Sequence, residues 1–438
     1  MNYMTDVARM SGHAKRMMAQ RERLFGPNNA HFYDDPVHFV RGEGVWLHDH
    51  AGRRYLDCYN NVPHVGHCHP RVVEAISRQT GQLVTHSRYL HDNILEYAER
   101  LLATFDRSLN TMLYTCTGSE ANDVALRMAQ QVTGNKGLIV TDFTYHGNTA
   151  LVMELATLLP REDGQRPYLR TIPAPDSYHL ERGVTNKEQM AAQVIRHLEA
   201  AIHSLKEQGH GVAAILICPI FANEGFPDLP PGFTAQVARK VRKAGGVVIA
   251  DEVQSGFGRT GSAMWGHQHS GFTPDIVTMG KPMGNGYPVA GVVCREDIMH
   301  VFRSKNLYFN TFGANPVAAA AALAVLDVLE EERLIENAAK VGEYSKKQFR
   351  KLAKRFREIG DVRGSGLFFG GEFVKSRKTR EADPKLARKV INRMREEGVI
   401  MGLIGRKNNL LKIRPPMPFT KANSDHLFET LERVLERL

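Results

Sequence analysis

The stretch IVTMGKPMGNGYP, residues 276–288, places one lysine between an apolar run and a cluster of glycines and prolines. The apolar run has the composition of a short buried strand, and Gly280 ends it. Pro282 and the glycines beyond it keep the following backbone irregular. Lys281 therefore lies where a strand gives way to a loop. Most lysines in such a position simply point into solvent, so a chemical role for Lys281 depends on partner residues elsewhere in the chain.

The sequence around this stretch alternates short apolar segments with longer amphipathic ones from about residue 111. Continuous Val, Ile and Leu runs separated by helices predict an α/β fold, with a mainly parallel sheet covered by helices on both faces. The expected ligand site is the row of loops at the carboxyl ends of the strands. The candidate strands are TMLYTCT (111–117), GLIVTD (137–142), VAAILICPIF (212–221), GVVIADE (246–252), DIVTMG (275–280) and VAGVVC (289–294), and the candidate helices are NDVALRMAQQV (122–132), AAQVIRHLEAAIHSL (191–205) and TAQVARKVRKAG (234–245).

The chain of 438 residues is long enough for one large domain and a smaller one. After Pro316 the pattern changes to a long Ala-rich helix, a basic helix and the candidate strands GLFFGGEFV (366–374) and LLKIRPPMPF (410–419). We therefore predict a large domain over residues 61–316 and a smaller α+β domain over residues 317–438. Residues 1–60 are predicted to join the smaller domain.

The net charge of +10 would permit an acidic partner such as nucleic acid. The densest basic run, SKKQFRKLAKRFRE at 345–358, has apolar residues at helical spacing, which is typical of a solvated helix face. No nucleic-acid partner is therefore predicted.

The five cysteines do not have the paired spacing of a disulfide framework, which favours a cytoplasmic location. The N-terminal residues contain no apolar core of signal-peptide length. The most apolar stretch, VAAILICPIFA at 212–222, is too short to span a bilayer. Neither export nor a membrane partner is predicted.

Asp251 and Lys281 follow two of the candidate strands, so both side chains belong on the same rim of a parallel sheet. A lysine that forms an imine has to be held in a dry, fixed place, and a nearby carboxylate suggests a cationic ring nitrogen that needs stabilising. Taken alone, an aspartate at a strand end can equally cap a turn.

Two further sets of residues fall on this rim. Gly118 and Ser119 begin a helix, where N–H groups and a hydroxyl form a natural phosphate site, although Thr-Gly-Ser can also be only an N-cap. Tyr145 and His146 follow another strand, and an aromatic ring there can stack on a planar cofactor or simply pack. Together these residues describe pyridoxal 5'-phosphate, whereas a nicotinamide enzyme would place Gly-x-Gly-x-x-Gly directly after a first strand.

Five motifs occur together from about Leu56 to the C-terminus: CTGSEAND (116–123), TYHGN (144–148), ADEVQSGFGRTG (250–261), DIVTMGKPMGNGYP (275–288) and NTFGANPVAAAAALAVL (310–326). Their order and spacing resemble the class III (omega) aminotransferases, which are fold type I pyridoxal-phosphate enzymes. The resemblance implies a large domain with a mainly parallel, seven-stranded type of sheet between helices, and a smaller α+β domain.

The resemblance also implies roles for single residues. Lys281 matches the lysine that bonds covalently to the cofactor, and Asp251 matches the partner of its pyridine nitrogen. Thr311 matches a threonine that reaches the phosphate bound by the neighbouring subunit, which implies a homodimer with shared active sites. The other matched cofactor positions are Gly118 and Ser119 in the phosphate loop, Tyr145 with His146 beside the ring, and Val253 and Gln254 under the ring and near its phenolic oxygen.

The substrate end of the site is less well defined by the sequence. Arg414, in LLKIRPPMPF, matches an arginine that binds a carboxylate in many relatives, although it can also anchor the small domain by an ion pair. Glu224 lies near an acidic residue that pairs with such an arginine, but Cys218 replaces the first acid of the usual motif. Asn61 and Arg88 are candidate pocket walls by analogy.

These matches predict an aminotransferase that moves an amino group from a primary amine or omega-amino acid to a 2-oxo acid such as pyruvate or 2-oxoglutarate. Two other segments, residues 55–76 and 87–101, resemble the branch with phospho-lyases for ethanolamine phosphate and phosphohydroxylysine. Because that branch usually has lysine where this chain has Arg414, transamination is favoured over elimination of phosphate, or of ammonia from an aminophosphonate. Joint retention of Lys281, Asp251, Tyr145 and Thr311 speaks against an inactive scaffold or regulatory homologue.

The segment HVGHCHP, residues 64–70, is the one histidine-rich and cysteine-containing run that could be taken for a metal site. No second group with ligand spacing accompanies it, so a structural or pocket-lining role is favoured. No metal is predicted.

Overall fold

The computed structural model describes residues 10–27, 31–158, 164, 166–181 and 183–438. Its helices are α1 Gly12–Phe25, α2 Pro70–Gln82, α3 Asp92–Leu102, α4 Gly118–Thr133, α5 Ala150–Met153, α6 Lys187–Glu207, α7 Phe233–Lys243, α8 Gly266–His269, α9 Glu296–Lys305, α10 Pro316–Glu331, α11 Leu334–Arg355, α12 Pro384–Glu396 and α13 Lys421–Glu436. Its strands are β1 Phe39–Glu43, β2 Trp46–Asp49, β3 Arg54–Asp57, β4 Thr111–Thr115, β5 Leu138–Thr141, β6 Leu169–Ile172, β7 Ala214–Ile217, β8 Val247–Asp251, β9 Ile276–Met279, β10 Ala290–Cys294, β11 Ile359–Ser365, β12 Phe368–Ser376, β13 Glu381–Ala382, β14 Val399–Ile400, β15 Gly402–Ile404 and β16 Leu410–Lys412.

A seven-stranded sheet in the order β4-β10-β9-β8-β7-β5-β6 forms the centre of the larger unit. The pairs β5–β6, β5–β7, β7–β8 and β8–β9 are parallel. Alternate residues of one strand face different apolar clusters: Ile139 belongs to one, and Leu138 and Val140 to the other. Both faces of the sheet are therefore covered, which confirms the predicted α/β fold with a mainly parallel seven-stranded sheet.

The strand β10 is the exception to the parallel arrangement, because it runs antiparallel to both of its neighbours. Gly291 lies opposite Tyr114 of β4 and Met279 of β9. The connection from β9 to β10 therefore stays at one rim of the sheet. Lys281 lies in that connection, directly beside the carboxyl end of β9.

Two smaller sheets have the strand orders β1-β2-β3-β14 and β11-β12-β16-β15. Parallel pairing of Leu56 in β3 with Val399 in β14 joins the N-terminal strands to the C-terminal part of the chain. This pairing supports the proposal that residues 1–60 belong with the smaller domain. The domain boundaries at residues 60 and 316 remain predictions.

Across the described residues, no helix combines the length and the apolar composition that crossing a bilayer requires. The five cysteines, which all lie in the described part of the chain, are free thiols. A cytoplasmic location remains a prediction.

Candidate active site

A cavity of about 370 Å³ opens at the carboxyl ends of β4, β5, β8 and β9. All the predicted cofactor residues except Thr311 line this one cavity. The lining residues are Val62, Cys116, Thr117, Gly118, Ser119, Tyr145, His146, Gly147, Asp251, Val253, Gln254, Lys281, Gly286, Tyr287, Pro288 and Val289. The sheet topology therefore brings together residues that lie far apart in sequence.

The N-terminus of α4 forms one wall of the cavity. Thr117 is its N-cap and accepts a hydrogen bond from the Glu120 N–H, while the Glu120 carboxylate accepts from the Thr117 N–H. The N–H groups of Gly118 and Ser119 belong to the first helical turn, which offers donors to a ligand anion. Ser119 Oγ accepts from the Asn148 N–H at 3.2 Å, so its own proton remains available to donate.

Two glycines make room beside this helix terminus. A Cβ on Gly147, whose φ is +144°, would lie 2.5 Å from Ser119 Oγ. A Cβ on Gly118 would lie 2.9 Å from Cγ2 of Val253. The backbone therefore approaches the hydroxyl and the valine more closely than any other residue type would allow.

Asp251 at the end of β8 is buried and fully hydrogen-bonded. Its Oδ2 accepts from His146 Nδ1 at 2.6 Å and from Asn122 Nδ2 at 3.1 Å, and its Oδ1 accepts from the Val253 N–H at 3.0 Å. Burial alone would raise the pKa of Asp251. The hydrogen bonds from His146 and Val253, together with the charge of Lys281, lower it by more than burial raises it. The net pKa lies below the usual range, so the carboxylate stays ionised.

Sequence reasoning missed the residues that position Asp251. Asn122 also donates to the His146 carbonyl at 2.7 Å and accepts from the Thr278 hydroxyl at 2.6 Å. The Thr144 hydroxyl contacts His146 Nε2 at 2.9 Å. Asn122 lies one turn after Gly118 on α4, and this i, i+4 spacing was the signal that could have identified it.

Lys281 lines the cavity, and its side chain is exposed to the space inside it. The protein around the cavity shields the amine from bulk water and so lowers the pKa of Lys281; the charge of Arg414 lowers it further, while Asp251 acts in the opposite direction. The net pKa is below that of a free lysine. A larger share of the amine is therefore neutral at physiological pH than in a solvated lysine.

Two buried basic side chains, Lys412 and Arg414, contact Gln254. Its Oε1 accepts from Arg414 Nη1 at 2.6 Å and from Lys412 Nζ at 3.1 Å. Arg414 Nε donates to the Tyr59 carbonyl at 3.2 Å, and both cations lie over the Phe368 ring, at 5.4 and 5.6 Å from its centroid. Sequence analysis did not identify Lys412, because its place in a short apolar strand hides it among ordinary strand residues.

No carboxylate of the described residues forms an ion pair with Lys412 or Arg414, which are 4% exposed each. Burial is the main cause that lowers the pKa of both groups, and it lowers that of Lys412 strongly. No ion pair among the described residues therefore supports the alternative role of Arg414 as an anchor of the small domain. Neither side chain lines the cavity that holds Lys281, and Gln254, which does line it, contacts both of them.

Glu224 is buried outside the cavity that holds Lys281. Its Oε1 accepts from the Thr141 hydroxyl at 2.6 Å, and its Oε2 has no partner among the described residues. Burial raises the pKa of Glu224. It lines a neighbouring cavity of about 440 Å³ together with Arg363 and Glu372. The structure does not pair it with Arg414.

Three other predicted residues also do not line the cavity that holds Lys281. Asn61 is buried, and its Nδ2 has no described partner. Arg88 lies over the Phe309 ring, 4.0 Å from its centroid, and lines a different cavity. Thr311 is exposed. Their roles remain predictions.

The histidines of HVGHCHP contact three different partners. His64 Nε2 lies 2.7 Å from the Phe257 carbonyl, His67 Nε2 lies 2.7 Å from Asp57, and His69 Nε2 lies 3.0 Å from Glu332. Their donor atoms do not converge, in agreement with the structural role predicted for the segment.

The donors around the cavity fit pyridoxal 5'-phosphate. The first turn of α4 and Ser119 would hold the phosphate, the ionised Asp251 would hold a protonated pyridine nitrogen, and Lys281 supplies the amine. Tyr145, 39% exposed, leaves a ring face available for stacking.

Comparisons with known proteins agree with this geometry. A protein of Drosophila melanogaster named alanine–glyoxylate aminotransferase 2-like is 42% identical over 90% of this chain and 81% of its own length. Ethanolamine-phosphate phospho-lyase homolog 1 of Caenorhabditis elegans is 38% identical over 96% of this chain and 93% of its own. The structure of an Arthrobacter phospholyase in complex with phosphoethanolamine has a TM-score of 0.93 and 44% identity, and covers 96% of this chain and 100% of that one.

The predicted cofactor and the predicted likeness to the phospho-lyase branch are both confirmed by these relatives. The sequence pattern that defines the class-III aminotransferases matches residues 29–435. The chain therefore belongs to the class III aminotransferase family, whose enzymes depend on pyridoxal 5'-phosphate.

Proposed function

We propose that the protein is a phospho-lyase that eliminates phosphate from a small primary amine carrying a phosphate monoester. The observation that supports this most directly is the buried pair of Lys412 and Arg414, which has no carboxylate partner among the described residues. Burial without a counter-ion disfavours the charged form of Lys412, and an anion bound beside Lys412 and Arg414 would favour that form again.

The charge of the pair favours a phosphate over a carboxylate. A phosphate monoester has a second pKa near 6 and carries a charge of about −1.5 to −2 at neutral pH. Lys412 and Arg414 together can balance that charge, whereas one carboxylate would leave a cation unpaired. Unused donors remain for the phosphate oxygens, because Arg414 Nη2 has no acceptor among the described residues and Lys412 Nζ has one.

The names of two relatives support the same substrate class, because phosphoethanolamine is bound by one and appears in the name of the other. The sequence-based preference for transamination depended on Arg414, which stands where the phospho-lyase branch usually has a lysine. Lys412, two positions before Arg414, provides a lysine in the same cluster. Ethanolamine phosphate is therefore the substrate to test first.

The residues around the cavity divide the chemistry between them. When bound, pyridoxal 5'-phosphate supplies a ring that stabilises negative charge on the amine-bearing carbon. Neutral Lys281 Nζ accepts the proton from that carbon, and ionised Asp251 keeps the ring nitrogen positive. Lys412 and Arg414 hold the leaving phosphate as its C–O bond breaks. Ethanolamine phosphate and water would thereby give acetaldehyde, ammonia and phosphate.

Transamination is the second candidate, and the planar guanidinium of Arg414 supports it. The fork of an arginine can hold a substrate carboxylate through two hydrogen bonds. The amine donor would then pass its nitrogen to a 2-oxo acid. The names of several relatives, the Drosophila melanogaster protein among them, are those of aminotransferases, which is consistent with this alternative.

Phosphate release from ethanolamine phosphate distinguishes the two candidates. The holoenzyme is expected to release phosphate, ammonia and acetaldehyde over many turnovers without any 2-oxo acid. Turnover that requires pyruvate or 2-oxoglutarate, with no phosphate released, would contradict the proposal and support transamination. Failure to bind the cofactor at all would support an inactive homologue.

Replacing Lys412 by methionine tests the phosphate site directly. The variant is expected to lose roughly 10²-fold in kcat/KM for ethanolamine phosphate, as when one charge-stabilising donor is removed from other active sites. Lys407→Met is the matched control, because Lys407 lies in the loop before β16, the strand that ends at Lys412, but lines the neighbouring cavity. Unchanged kcat/KM in Lys412→Met, with cofactor absorbance retained, would rule out this role.

A further inference from the structure

Three histidines form a cluster near the N-terminal end of the described chain. His13 lies on α1, His38 precedes β1 and His50 follows β2. His13 Nε2 lies 3.0 Å from His38 Nδ1. One nitrogen from each of the three rings lies within 4.8 Å of the other two.

The β-hairpin fixes two of these histidines. The His50 N–H donates to the His38 carbonyl at 3.0 Å, which continues the pairing of β1 with β2. His13 reaches them from α1, whose N-cap Ser11 donates its N–H to Asp35 at 3.1 Å. Three separate segments thus bring three imidazoles to one place.

The cluster is open to solvent on one side. Neutral imidazole is the form that binds a metal ion. His13 and His38 are half-buried and His50 is exposed, so an ion could reach the nitrogens from solvent.

We propose that His13, His38 and His50 bind a divalent first-row metal ion such as Zn²⁺, with water completing the coordination. Zn²⁺ binds imidazole nitrogen at about 2.0–2.1 Å, and three histidines with one open position are a known ligand set. The rings now stack at 12°, 16° and 19° to one another. Directing the nitrogens at one ion takes rotation about χ2, which is a broad torsion.

The structure also indicates what such an ion would do. Ala14 is the one buried residue of α1, and Leu24 and Phe25 are exposed. Little apolar contact therefore holds α1 within one chain. An ion bound by His13 and the hairpin would cross-link α1 to β1 and β2, which stabilises the folded arrangement of these segments.

Zinc binding by the full-length, tag-free holoenzyme tests the proposal. Equilibrium dialysis followed by metal analysis is expected to give one Zn²⁺ per chain, and Zn²⁺ is expected to raise the Tm. His13→Ala should weaken binding by more than about 100-fold, since loss of even an outer-shell partner of a metal ligand costs roughly 10–100-fold. His203→Ala is the matched control, because His203 is an exposed histidine on α6.

Two further results decide between a built site and surface binding. The exposed His50→Gln variant should lose binding as His13→Ala does, with cofactor absorbance and far-UV circular dichroism unchanged. Less than one ion per wild-type chain, or equal binding by the wild type and by His13→Ala with His50→Gln, would overturn the proposal.

Discussion

Asp251 and Asp275 are both buried aspartates next to strands, but their surroundings give them different roles. Asp251 accepts from His146 and Asn122 and lines the cavity. Asp275 forms ion pairs with Arg242 and Arg295, away from Lys281. A charge beside the cavity acts on the chemistry, whereas a charge between two arginines acts on the stability of the fold.

Replacing Asp251 by asparagine is expected to lower kcat by at least about 10²-fold, because the negative charge beside the ring nitrogen is lost while the shape is kept. Steady-state kinetics on ethanolamine phosphate and on amine plus 2-oxo acid measure this. Asp275→Asn should instead cost about 1–3 kcal/mol of stability, because it removes the buried charge that pairs with Arg242 and Arg295. Equal kcat values for both variants would contradict the assignment.

Lys281 and Asp251 could be predicted from the sequence because strand ends of a parallel sheet meet at one rim. Lys412 could not be predicted, because it stands out only through the absence of a carboxylate partner. The three-dimensional packing shows that no described carboxylate pairs with Lys412 and that Gln254 accepts hydrogen bonds from both Lys412 and Arg414. Glu224 lines a neighbouring cavity, and its predicted role at the substrate end of the site remains a prediction.

At the level of elements, the N-terminus of α4 has two functions that can be separated. Thr117 caps the helix and also lines the cavity. Thr420 caps α13 with the same capping-box arrangement, and the cavity lining does not include it. The two threonines therefore form a matched pair for an experiment.

Thr117→Ala and Thr420→Ala are each expected to lower the free energy of unfolding by about 1 kcal/mol, the usual cost of removing an N-cap side chain. Only Thr117→Ala should also weaken binding of pyridoxal 5'-phosphate, because it loosens the helix turn that faces the phosphate. Chemical denaturation and cofactor titration measure the two effects. Cofactor affinity reduced equally in both variants would show that α4 does not hold the phosphate.

Most strands of the large sheet could be predicted from the sequence, because their apolar runs are continuous. The edge strand β6 was not predicted, because Arg170 and Thr171 interrupt its apolar pattern and leave it half-buried. LLKIRPPMPF was predicted as one long strand, but only Leu410–Lys412 forms it. The two prolines that follow have no N–H group to donate to a neighbouring strand.

On the scale of the whole molecule, several apolar side chains in the segments around Arg88 and Thr311 are exposed in one chain. Leu307 is 100% exposed, Phe312 is 72% exposed and Leu90 is 96% exposed. Residues 87–88 and 307–310 line one cavity, so these two segments lie together. Exposed apolar side chains in neighbouring segments favour an interface between subunits.

We therefore predict a homodimer in which Thr311 completes the site of the neighbouring subunit. Lys281→Ala and Thr311→Glu should each be inactive alone. After the two are unfolded and refolded together, mixed dimers contain one intact site, so about one quarter of wild-type activity should return. Activity assays and sedimentation of the mixture measure this.

No recovery, although sedimentation shows mixed dimers, would mean that each site is built from one chain. Phe312→Asp provides an independent test, because a charge among these exposed apolar side chains should shift dimers towards monomers. Leu438→Asp, at the exposed C-terminus, is its control. Within one chain, Arg88 and Thr311 do not line the cavity with Lys281, and the predicted homodimer would explain this.

The antiparallel course of β10 limits where insertions into the chain can be tolerated. The ten residues from 280 to 289 leave the sheet at β9 and rejoin it at the same rim, with both ends held in ladders. Because this connection lines the cavity, an inserted residue would reduce the space available to a ligand. The crossovers through α6 and α7 can lengthen on the far side of the sheet. Natural length variation should therefore accumulate in those crossovers and be absent around the lysine.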